Sequence, residues 1–173
     1  MQDGEPGPLR MEYEGSWLLE PNERTDFYLM LRSLPLLFEE DSVLALEDVL
    51  APEIMELFEQ NVPSKKAALE TLGGGWRLDL SLVPPFVRKK HSDVLHMQMT
   101  KENLARLVEM ADHHAGPEVC MHLAVYREEE VLMEYHDAST GGLPFVSGGV
   151  HESKVKAFSE ALGFSYARYT MQE

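Results

Sequence analysis

VCMHLAVYREEEVLMEYHD, residues 119–137, holds two apolar runs, 119–126 and 131–137, on either side of the charged segment Arg127-Glu128-Glu129-Glu130. Two strand-like runs around a short polar break read as a β-hairpin. The break lacks the Asn-Gly or Asp-Gly that a tight primed turn prefers. A turn centred on Glu128-Glu129 pairs residues whose numbers sum to 257, which sets His122 opposite Tyr135 and Met121 opposite His136. The two imidazoles then point to opposite faces. Bringing them together takes a slip of one residue, and such a slip turns every side chain of the strand over.

The segments around this hairpin alternate between helix and strand periodicity. Upstream, residues 94–99 alternate Leu95, Met97 and Met99 against His96 and Gln98, a strand with one apolar and one exposed face. Thr100 then caps a helix over 101–114 whose stripe is Leu104, Leu107, Val108 and Ala111, with Gly116-Pro117 as its stop. His113 and His114 fall in its last turn, where a cation suits the carbonyl ends. Val119 and Met121 flank Cys120, which reads as a small inert strand hydrophobe.

Phe27, Leu31, Leu34 and Phe38 give a helix over 25–38, capped by Asn22 or Thr25 and interrupted near Ser33 by Pro35. Residues 42–46 form a short buried strand, and Pro52 opens a helix to about Asn61 with Ile54, Leu57 and Phe58 inside. Ser64 caps a further helix that buries Ala68, Leu69 and Leu72 and ends at the glycines 73–75. Residues 76–83 alternate as a strand, and 86–92, FVRKKHS, form a basic loop. Downstream of the hairpin, 143–146 reads as a short edge strand, 151–162 as a helix stopped by Gly163, and 164–169 as a last strand. Strands and helices alternate, yet one pair is a hairpin. The expected architecture is therefore α+β, a single domain with a mixed or antiparallel sheet and amphipathic helices packed on it.

The whole chain has 173 residues, enough for one domain and little more. We expect a disordered tail over 1–10, where MQDGEPGPLR has little to bury, and the domain over 11–173. No apolar run approaches membrane-spanning length, and the first residues resemble no secretory leader. One cysteine forbids an internal disulfide, which agrees with a cytosolic setting.

Charge narrows the function classes. Thirty acidic and 15 basic residues give a net charge of −15, and residues 1–60 hold 15 acids against 3 bases. A surface of that sign repels nucleic-acid backbones and anionic membranes. It suits encounter with a basic protein partner. No glycine loop carries a phosphate-binding Lys, Ser147 lacks the glycines of a nucleophile elbow, and no acidic cluster has a calcium-loop spacing. Neither a cofactor nor a metal is expected.

Two readings from different classes follow. The first is a non-enzymatic acidic interaction protein, an inhibitor or immunity-type partner of a basic surface, docking through Glu47, Asp48, Glu53 and Glu56. The second is a small enzyme or metal-binding protein using His122, His136, Asp137 and His96. A convex acidic surface favours the first; a cavity with convergent polar groups favours the second.

Overall fold

The structure, a computed structural model, describes residues 7–21, 26–70, 72 and 94–171. Its named elements, in chain order, are β1 (Trp17–Glu20), α1 (Phe27–Ser33) running into a 3-10 turn (Leu34–Leu36), β2 (Val43–Glu47), α2 (Pro52–Gln60), β3 (Val94–Gln98), α3 (Lys101–Ala111), α4 (Gly116–Val119), β4 (His122–Arg127), β5 (Glu130–Tyr135), β6 (Pro144–Val146), α5 (Glu152–Leu162) and β7 (Ser165–Arg168). The seven strands form one sheet in the order β3-β2-β4-β5-β6-β1-β7. Every pairing is antiparallel. The fold is α+β, with the antiparallel form of the sheet.

The two faces of the sheet are covered differently. The larger core joins Leu44, Leu46, Met97, Leu123, Val125, Met133 and Tyr135 to the buried stripes of the helices, among them Leu31, Ile54, Leu57, Leu104, Leu107, Val155 and Phe158. On the other face Val43, Ala45, Ala124, Tyr126 and Val131 pack under Met11, Leu69 and Leu72. Here Leu9 bridges to Leu69, with Leu9 N donating to Ala68 O at 2.8 Å and Glu70 N to Leu9 O at 2.7 Å. A chain crossing both faces explains why β2, VLALE, is buried at every position.

Local signals account for the helices. Thr100 accepts from Asn103 N as the N-cap of α3. Gly163 sits at φ 70° after α5, a left-handed conformation that glycine adopts without strain. Pro35 ends α1 as expected, and the chain tightens into the 3-10 turn. Its N-cap is Asp26, whose side chain accepts from Leu29 N.

Several expectations are corrected. In the hairpin, Arg127↔Glu130 and Tyr126↔Val131 keep the expected sum of 257, but a bulge intervenes, and beyond it Val125↔Met133, Ala124↔Glu134 and Leu123↔Tyr135 sum to 258. Leu132 is the extra residue. It and Met133 both enter the helix-side core, and the rest of β5 is turned over relative to a uniform register. Residues 116–119 form a helical turn, so β4 begins at His122, and Cys120 is a buried C-cap residue in extended conformation. Among the described residues from Ser64 to Leu72 no helix forms, because the backbone around Leu69 is paired to Leu9. Strand β6 lies inside the sheet between β5 and β1; the described edges are β3 and β7. His96 is half-buried under the second layer. The expected strand 76–83 and basic loop 86–92 lie outside the described residues, as do residues 1–6 of the expected tail, while Leu9 is held in the fold.

Candidate functional site

The bulge decides where the histidines go. On the face away from the helices, Glu47 of β2 pairs with His122 of β4. Continuing the post-bulge register sets His122 beside His136. Their ring centroids are 5.3 Å apart at an angle of 57°. One row nearer the turn, Ala45 separates His96 from Ala124, and Ala124 lies beside Glu134. Strand pairing thus gathers Glu47, His96, His122, Glu134 and His136 onto one covered face.

Hydrogen bonds set the chemistry of that face. Asp137 sits at φ 52°, and its N–H donates to His122 Nδ1 at 3.1 Å. The turn beyond is closed by Gly142 N donating to Asp137 O at 2.9 Å; a Cβ at Gly142 would meet His136 O at 1.7 Å, so only glycine fits. Because His122 Nδ1 accepts, its proton lies on Nε2. That tautomer presents a donor, whereas a metal needs a lone pair. Burial, followed by the neighbouring His136, lowers the pKa of His122 against the opposing pull of Asp137 and Asp48, so the ring is neutral. Among the described residues no group of three or more His, Cys, Asp or Glu side chains is placed to hold a metal ion.

Glu134 and His96 are likewise engaged in structural bonds, whereas the buried His136 Nδ1 has no hydrogen-bond partner among the described residues. Tyr13 OH donates to the buried Glu134 Oε2, which lies 3.6 Å from His136 Nε2. Burial and this bond raise the Tyr13 pKa. Tyr126 OH accepts from Ala67 N at 3.2 Å and meets His96 Nδ1 at 2.8 Å. Burial, assisted by the Lys66 charge, pushes the His96 pKa down to about 4. Four hollows of the described residues include a groove of about 440 Å³ between α1 and α3 and a cleft of about 700 Å³ along Arg10, Glu12 and Glu14. None of the four is lined by His96, His122, His136 or Asp137.

The expected acidic face divides. Glu47 is only 5% exposed and belongs to the histidine row. Asp48, at φ 61°, is half-buried in the turn that follows. Glu53 and Glu56 stand exposed on α2, and Glu59 extends them along the same helix. The helix, PEIMELFEQ, has no basic residue. At its head Leu50 is 63% exposed, and Leu50 N donates to Glu118 O at 3.0 Å. This brings Glu118 of α4 beside α2.

Between these two helices lies a feature that the sequence conceals. His114 Nε2 is 2.5 Å from Glu53 Oε1, and Nδ1 is 3.0 Å from Glu118 Oε2. The bond to Glu53, followed by that to Glu118, raises the His114 pKa. Glu118 also accepts from Ala115 N at 3.3 Å. Read from sequence, His114 is a helix-end cation; its true partner lies 61 residues away. Tyr13 and Glu134, 121 residues apart, likewise carry no local signal.

No protein-family model, no curated protein and no solved structure matches the chain.

Proposed function

We propose that this protein is a non-catalytic acidic interaction protein that covers a basic surface on a protein partner through α2 and the adjoining turn. One observation carries the reading: Glu53, Glu56 and Glu59 are exposed along a helix without a base, next to the exposed Leu50. Carboxylates of one sign attract a cationic partner over a screening length of about 10 Å at 0.1 M salt, and an apolar side chain beside them supplies area to bury. Glu47 is not part of this face, and Asp48 borders it. The described residues include no helix long and apolar enough to cross a membrane.

The test uses the protein as a bait in native cytosol, compared with a Glu56→Lys/Glu59→Lys variant. We expect the parent to retain a basic protein at low salt that the variant loses, with melting temperatures within a few degrees, since exposed charges contribute little to stability. Equal capture by both proteins contradicts the reading.

A second reading, a small enzyme or metal-binding protein built on His122, His136, Asp137 and His96, is favoured by the close approach of two imidazoles. Stoichiometric transition metal in the purified protein, lost in His136→Ala, supports it. The tautomer imposed on His122 leads us to expect metal-free protein.

A further inference from the structure

We infer that His114 is a proton-operated clamp that joins α2 to α4: the doubly protonated imidazole holds Glu53 and Glu118 together, and the neutral ring, with a single N–H, releases one of them. The inference rests on the docking reading for its consequence and on geometry alone for its mechanism.

The geometry is specific. Imidazole carries its two nitrogens on opposite sides of a rigid ring, and here each meets a carboxylate from a different element, Nε2 to Glu53 of α2 and Nδ1 to Glu118 of α4. Carboxylates are acceptors only, so both contacts are hydrogen bonds only when both nitrogens carry protons. Loss of either proton turns one nitrogen into an acceptor facing an anion, a repulsive contact. Glu53 and Glu118 are the charged groups that face the ring, and their side chains are 49% and 52% exposed. The ring itself is 23% exposed, open to proton exchange with solvent.

The two carboxylates differ in what holds them otherwise. Glu118 also accepts from the Ala115 amide and so remains a cap of its own turn. Glu53 has His114 as its one partner among the described residues. Deprotonation therefore removes one positive charge from between two carboxylates at the head of the proposed docking helix and makes that face more negative. Docking to a basic partner should tighten as pH rises through the His114 transition, while the tie between α2 and α4 loosens.

The sign follows from the direction of the shift. The folded-state pKa of His114 lies above the ordinary 6.5, so the clamp is closed below 6.5 and opens as pH rises through the higher, folded value.

The test needs no partner. Imidazole and side-chain carboxyl resonances of His114, Glu53 and Glu118 are followed by NMR from pH 5.5 to 9. We expect His114 to titrate with a midpoint above 6.5 and both carboxyl signals to move with that midpoint. In His114→Gln these carboxyl shifts should vanish, and in Glu118→Gln the His114 midpoint should fall. A His114 midpoint at or below 6.5, or carboxyl signals that ignore it, overturns the clamp. Capture of the basic partner at pH 6 and pH 8.5 adds a second arm, with several-fold stronger capture at the higher pH in the parent and none of that difference in His114→Gln. Capture that depends on Glu56 and Glu59 but not on pH contradicts the clamp and spares the docking reading. A clamp seen by NMR with capture indifferent to Glu56→Lys/Glu59→Lys does the reverse.

Discussion

His96 shows how a single covered side chain couples this fold to pH. Its Nδ1 meets the Tyr126 hydroxyl, the second layer lies over it, and its folded-state pKa is about 4 against an ordinary 6.5. A histidine with a lowered folded pKa favours folding above its unfolded pKa, and the advantage is lost as pH falls toward the folded value. Each pH unit inside that window is worth about 1.4 kcal/mol. Between pH 7 and pH 5 the parent should therefore lose roughly 1 to 2 kcal/mol relative to His96→Gln. His122, shifted in the same direction by burial, adds to the loss in both proteins alike. Denaturant unfolding of both proteins at the two pH values checks this. Parallel stability losses would mean that His96 protonates as freely in the folded chain as in the unfolded one.

Among the elements, α3 is the most direct test of the layering. Leu107 is fully buried in the helix-side core, whereas Arg106, one position earlier, faces solvent. Leu107→Ala should cost roughly 2 to 5 kcal/mol through lost transfer energy and a residual cavity. Arg106→Ala should stay within about 0.5 kcal/mol of the parent. Equal costs in urea unfolding would contradict the helix face. This helix could be read from sequence because its signals are local, a Thr cap and an apolar stripe at helical spacing. The hairpin could be read only in part. Val131-Leu132-Met133 is apolar throughout, so strict alternation cannot reveal an extra residue within it, and the bulge at Leu132 is set by packing on both faces. A uniform register, one residue out beyond the bulge, separates His122 from His136. Ser64, Ala68 and Leu69 had the spacing of a helix start, but a backbone partner at Leu9 won. The short β1 offered four residues whose strand character depends on β6 and β7.

For the whole molecule, the sheet sorts the titratable groups into two populations. Covered groups, Glu47, His96, His122 and Glu134, are drawn together on the face opposite the helices by strand register. Exposed carboxylates line α2 and its neighbour α4, in a chain of net charge −15. The acidity of the surface was readable from composition. Which acids form it was not, because Glu47 and Glu53 lie six residues apart, on a strand and on a helix with different exposure. The claim that joins these levels is that the α2 face is a docking surface for a basic protein. Its most direct measurement is the association rate of the captured partner with the parent and with Glu56→Lys/Glu59→Lys, followed by stopped flow between 0.05 and 0.5 M salt, a range over which the screening length falls from about 14 to about 4 Å. The account predicts a parent rate that falls at least tenfold across this range and a variant whose rate is slower at low salt and nearly flat. Rates that coincide for the two proteins, or that do not change with salt, would contradict it.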